Sequence, residues 1–80
     1  MKLKDNVAIV TGGAGSIGRA VCLKLAAEGA SVAVVDVDIE RTQAVADEVK
    51  AAGRDALALG VDIRSREEID RMTAAVMERF

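Results

Sequence analysis

Histidine, tyrosine, tryptophan and proline are absent from these 80 residues, and cysteine and phenylalanine occur once each. A single thiol, Cys22, excludes an internal disulfide and any thiolate metal cluster. Its place among apolar residues at helical spacing reads as a small buried hydrophobe rather than a reactive thiol. Phe80 is the sole aromatic, and Ala and Val dominate the 51% of residues that are apolar, so a core must be assembled from small side chains, which suits closely packed helix-on-sheet layers. Long apolar runs are missing too. Met1-Lys2-Leu3-Lys4 leads into Val7 to Val10, too short for the centre of a signal peptide, and the expectation is a cytoplasmic protein. No charge of one sign prevails: 11 Lys and Arg against 13 Asp and Glu give a net charge of −2, with the signs interspersed. Without a basic stripe, neither nucleic acid nor a membrane is expected as a partner. A chain of this size buries only about 60% of the surface it exposes when unfolded, so one small domain of marginal stability is expected.

What is present falls into a loose repeat of about 25 residues, each reading strand, turn, helix. The first pairs Val7–Thr11 with a helix from Ile17 to Glu28, whose Ile17, Val21, Cys22 and Leu25 share one face, and Gly29 is its C-terminal cap. The second pairs Ser31–Asp36 with a helix from Ile39 to Ala52, striped by Val45, Val49 and Ala52, started by Asp38 and stopped by Gly53. In the third, Ala56–Leu59, with Gly60–Val61 as an extension, precedes a helix bearing Ile69, Met72, Val76 and Phe80, and Ser65 with Glu68 supplies a capping box. The first two strands are apolar on both alternating faces, the pattern of parallel strands covered by helices on each side. Right-handed crossovers then give an α/β fold, a three-layer Rossmann-type βαβαβα half with sheet order 3-2-1.

One junction carries chemistry. Strand residues Val7 to Val10 run into Thr11-Gly12-Gly13-Ala14-Gly15-Ser16-Ile17-Gly18 and then into a helix. A helix start offers unpaired N–H groups and the positive end of its dipole, and small residues let a pyrophosphate approach it closely. Gly13-x-Gly15-x-x-Gly18 matches the dinucleotide fingerprint literally, and Ser16 can cap the helix or donate to phosphate. Asp36 ends the second apolar run 18 residues beyond Gly18, near the spacing of a ribose-gripping acid. A carboxylate there accepts from both ribose hydroxyls and repels a 2′-phosphate, and Val37 brings no cation to offset it, so NAD is expected over NADP. Asp62, ending the third strand, points to the same sheet edge or merely begins a loop.

Together these residues resemble the amino-terminal part of the short-chain dehydrogenase/reductase family, with its pattern Thr-Gly-x-x-x-Gly-x-Gly, an acid after strand two and Asp-Val or a relative after strand three. Thr11, Gly12, Ile17 and Gly18 match the first element, Asp36 the NAD-selecting acid, and Asp62-Ile63 the adenine-contacting pair. The family's middle glycine stands here as Ser16 behind Gly15, so the loop is either shifted by one or carries a Cβ. The resemblance implies a cofactor site of Gly12, Gly15, Ser16, Ile17, Gly18, Asp36, Val37, Asp62 and Ile63, and hydride transfer between nicotinamide and an alcohol or ketone. It further implies that residues 1–80 are one partial domain, cut before strand four and before the family's catalytic Ser, Tyr and Lys, and so catalytically incompetent alone.

Two other readings compete. A noncatalytic nucleotide-binding or assembly module would self-associate through the free edge of strand one. A Rossmann-type methyltransferase piece would by resemblance carry an acid just before the glycines, where Val10 and Thr11 stand.

Overall fold

A computed structural model describes residues 6–80; the leader residues Met1 to Lys4 weighed above lie outside them. The order is β1 (Val7–Thr11), α1 (Ser16–Ala27), β2 (Ser31–Asp36), α2 (Ile39–Ala51), β3 (Ala56–Gly60) and α3 (Arg66–Arg79). The strands form one parallel sheet in the order β1-β2-β3, with Val10 opposite Val34 and Val34 opposite Ala58. This is the expected half-Rossmann arrangement, and β3 ends at Gly60 rather than Val61.

Periodicity explains the layers. Val32 and Val34 of β2 point to one face, where Cys22 and Ala26 of α1 and Val45, Ala46 and Val49 of α2 close over them. Ala33 and Val35 point to the other face and are equally sealed. There Leu59, the neighbour of Val35 in register, borders Met72 and Ala75 of α3. Each fully buried valine contributes about 1.5–3 kcal/mol relative to exposure, so the central strand is the main source of cohesion. Val7 and Ile9 of β1, alternating away from the α1 side, stay 42% and 46% exposed.

The helix starts follow the sequence at two of three positions. The Asp38 side chain accepts from Arg41 N–H at 3.2 Å, and Ser65 Oγ accepts from Glu68 N–H at 3.3 Å. Only half of the capping box forms, because Ser65 N–H donates to the Asp62 carbonyl. At α1 the N-cap is Gly15, with no side-chain bond, and Ser16 is the first helical residue. The capping role offered for Ser16 is therefore wrong: Ser16 already lies inside the helix whose start it would have to cap. Gly29 and Gly53 follow the caps Glu28 and Ala52 with φ of 100° and 90°, the left-handed stop expected of both.

Three apolar stripes need correction. Ile17 is 81% exposed and Val21 is also exposed, because α1 turns Cys22 and Ala26 to the sheet, with Leu25 half-buried beside them. Ile17, Val21 and Leu25 instead line an apolar depression with Ala20 on the outer side of α1. Ala52 caps α2 and is exposed, leaving Thr42, Val45, Ala46 and Val49 as its inner face. Phe80 follows α3 and lies with Arg79 5.3 Å from its ring centre, while Val76 is the one buried residue of that helix.

Cys22 has no exposed surface, and burial raises its thiol pKa above the ordinary value. Its reaction with a disulfide reagent is expected to follow the unfolding rate, rising steeply in urea; rapid labelling of the folded chain would contradict this.

An ion pair ties the two helices of the first layer: Arg19 Nε donates to Glu48 Oε1 at 2.9 Å, with a second contact between Nη2 and Oε2. These hydrogen bonds, with the attraction of the guanidinium, hold the Glu48 carboxyl below the usual range. The lowered folded value means a stabilising contribution present above the unfolded carboxylate pKa of about 4.3 and lost as pH falls through the folded pKa. Melting followed by circular dichroism should show a falling midpoint below about pH 4, and Glu48→Gln should remove part of that acid limb. The pair is solvent-exposed, so the effect is modest.

Candidate coenzyme site at the carboxyl edge of the sheet

Parallel strands bring the ends of β1, β2 and β3 to one edge, so Thr11, Asp36 and Gly60 all open toward the same side. The turn between β1 and α1 is built glycine by glycine. Gly12 adopts φ of 69°, a conformation that L side chains reach only with strain. Gly13 N–H donates to the Val35 carbonyl at 3.0 Å and Gly15 N–H to the Gly12 carbonyl at 3.2 Å. A Cβ on Gly13 would meet Val34 Cγ1 at 2.7 Å, and one on Gly18 would collide with the Gly12 carbonyl oxygen and lie 2.7 Å from Gly13 Cα. A Cβ on Gly15 would have only the Gly12 oxygen nearby, at 3.6 Å.

The literal motif beginning at Gly13 therefore mixes different jobs. Gly12 makes the turn, Gly13 and Gly18 permit close packing, and Gly15 leaves the outer surface open. Ser16 occupies the first helical position, facing solvent. The first helical hydrogen bond runs from Arg19 N–H to the Gly15 carbonyl at 2.8 Å. The N–H groups of Ser16, Ile17 and Gly18 precede that ladder and form the positive end of the helix.

Asp36 joins this turn to the end of β2. Its Oδ2 accepts from Ala14 N–H at 3.2 Å and its Oδ1 from Val37 N–H at 2.7 Å. Each carboxylate oxygen retains capacity for another donor. The structure thus places Asp36 beside the glycine turn across 22 positions of sequence.

Asp62 is brought to the same edge, but its carboxylate is engaged. Oδ1 accepts from Arg64 N–H at 2.9 Å and Nε at 3.1 Å, and Oδ2 from Nη2 at 3.1 Å. These bonds lower the Asp62 pKa and raise that of Arg64. Val37 and Ile63 are 70% and 57% exposed. A cleft of about 640 Å³ separates the β2 and β3 ends, lined by Val37, Ile39, Gly60, Val61, Asp62, Arg64 and Glu68. Ile63 is not among its walls. Sequence reasoning missed Ile39 and Arg64, for which no short motif exists, and Ala14, which acts through its backbone. No group of three or more His, Cys, Asp or Glu among the described residues could hold a metal.

The short chain dehydrogenase profile matches residues 6–80. The chain belongs to the short-chain dehydrogenase family. A short chain dehydrogenase of Pseudocercospora fijiensis is 41% identical over 75 residues, a match covering 94% of this chain and 24% of that protein. The 2,3-dihydro-2,3-dihydroxybenzoate dehydrogenase of Bacillus subtilis is 39% identical over 74 residues, covering 92% of this chain and 28% of that protein. Among solved structures, NAD+-bound xylitol dehydrogenase superimposes with a TM-score of 0.95 at 30% identity, covering 99% of this chain and 30% of that one. The chain spans about a quarter to a third of the short-chain dehydrogenases it matches. Membership sets aside the methyltransferase reading.

Proposed function

We propose that this chain is the coenzyme-binding front part of an NAD-dependent short-chain oxidoreductase, a single partial domain over residues 1–80 whose parent moves a hydride between nicotinamide and an alcohol or ketone. One observation carries the reading: Asp36 sits at the end of β2 with its carboxylate against the glycine turn, 3.2 Å from Ala14 N. A dinucleotide spanning that junction would lay its pyrophosphate on the N–H groups of Ser16, Ile17 and Gly18, over the surface left open at Gly12 and Gly15. Asp36 would accept from the ribose hydroxyls, and Val37 adds no cation for a 2′-phosphate. The neighbouring cleft would take adenine, with Asp62 in its wall and the exposed Ile63 next in the chain. An NAD+-bound relative of the same fold supports a nicotinamide coenzyme.

The residues present bind and orient; they hold no tyrosine or histidine to exchange a proton with a hydroxyl or carbonyl. The expected outcome for the chain alone is weak NAD binding and no turnover. Calorimetric titration with NAD, NADP and AMP tests this: NAD and AMP should bind and NADP should bind more weakly, whereas equal or tighter NADP binding would overturn the assignment of Asp36. A cytoplasmic setting suits the one buried thiol, and the mixed surface charge offers nothing to nucleic acid or lipid. No helix among the described residues is long and apolar enough to cross a membrane.

A second reading rests on β1, which pairs only with β2 among the described residues and leaves Val7 and Ile9 uncovered. Such an edge can recruit a strand from another chain. Sedimentation velocity should then show association rising with concentration; a monomer throughout would remove this reading.

A further inference from the structure

Three consecutive N–H groups fasten the glycine turn, and two of them use carbonyls of the main chain: Gly13 on Val35 and Gly15 on Gly12. The middle one uses a side chain. Ala14 N–H donates to Asp36 Oδ2, while Val37 N–H on Oδ1 fixes the plane of the carboxylate. We infer that Asp36 is a positioning residue for the pyrophosphate turn: by holding Ala14 N–H inward, it keeps the neighbouring N–H groups at the start of α1 aimed outward at a phosphate. The functional half of this inference rests on the coenzyme reading above, and it extends the role of Asp36 from the sugar to the phosphates.

Electrostatics alone predicts the opposite. A carboxylate within hydrogen-bonding distance of the turn repels pyrophosphate, so removing its charge should tighten binding if charge were its whole contribution. Positioning predicts that alanine weakens binding despite that relief, because Ala14 N–H loses its partner and the turn its anchor. Asparagine separates the two effects, since it drops the charge and keeps an oxygen that can face Ala14.

The probe is inorganic pyrophosphate, which has no sugar and so silences the ribose role. For the 80-residue chain, Asp36→Asn should bind it at least as tightly as the unsubstituted chain, and Asp36→Ala about fivefold more weakly than Asp36→Asn, the scale of one hydrogen bond. Amide hydrogen exchange supplies the second readout. Ala14 N–H should exchange about fivefold faster in Asp36→Ala and recover toward the original rate in Asp36→Asn. The amides of Val34 and Val35 should stay protected in both. Equal pyrophosphate affinity in the two variants would overturn the inference, as would an unchanged Ala14 exchange rate, or loosening of the β2 amides to the same degree. If the unsubstituted chain binds no pyrophosphate, the coenzyme reading fails, while the exchange rates still decide whether Asp36 holds the turn.

Discussion

Gly18→Ala is expected to lower stability by about 3 kcal/mol, a large share of the roughly 4–12 kcal/mol typical of a chain this long. A Cβ there meets the Gly12 carbonyl oxygen and Gly13 Cα, both backbone, so no side chain can rotate aside. Relief requires α1 to move off the turn, which breaks the packing of Cys22 and Ala26 on β2. Alanine's better helix propensity returns only about 1 kcal/mol. Gly15→Ala is the control. Its Cβ has one neighbour at 3.6 Å and its φ of −74° suits alanine, so the cost should stay under about 1 kcal/mol, the scale of a capping preference. Urea unfolding of both variants measures the difference, and equal costs would show that the helix is not held against the turn as described.

The second large effect joins Gly13 to Val34. Val34→Ala should cost about 2–3 kcal/mol, because it removes two methyls from a fully buried site in the middle of the central strand. Gly13→Ala should cost about 2 kcal/mol by overpacking, since its Cβ would lie 2.7 Å from Val34 Cγ1. Combined, the two changes partly cancel: the new methyl occupies space that the lost one vacates, leaving the Val10 carbonyl at 3.1 Å as the remaining tight neighbour. The double-mutant cycle should show a favourable coupling of at least about 1 kcal/mol. Strict additivity would mean that turn and strand relax independently.

Strand and helix positions were legible because each segment repeats at its own period and is bounded by chemistry that stops it. Asp38 and Ser65 start helices with the very bonds their side chains suggest, and Gly29 and Gly53 end helices with positive φ. Helix rotation was less legible. Ile17 and Val21 fit an apolar stripe as well as Cys22 and Ala26 do, and periodicity cannot tell two adjacent stripes apart. Packing separated them: Gly18 lies against the backbone of the turn, and Cys22 and Ala26 join the cluster on β2. The glycine jobs were hidden for a related reason. Every glycine looks alike in a motif, but a turn needs one backbone angle at Gly12 and a contact needs empty space at Gly13 and Gly18.

The order of residues by itself determined the three strand-helix units, their parallel sheet and the acid that follows β2, since these depend on local periodicity, short connections and chain handedness. Tertiary structure alone decided that Asp36 reaches Ala14 and that Ile17 faces outward. The Asp36 and Ile17 outcomes depend on how the end of one strand and the rotation of one helix meet across the sheet. No spacing between residues encodes such distances.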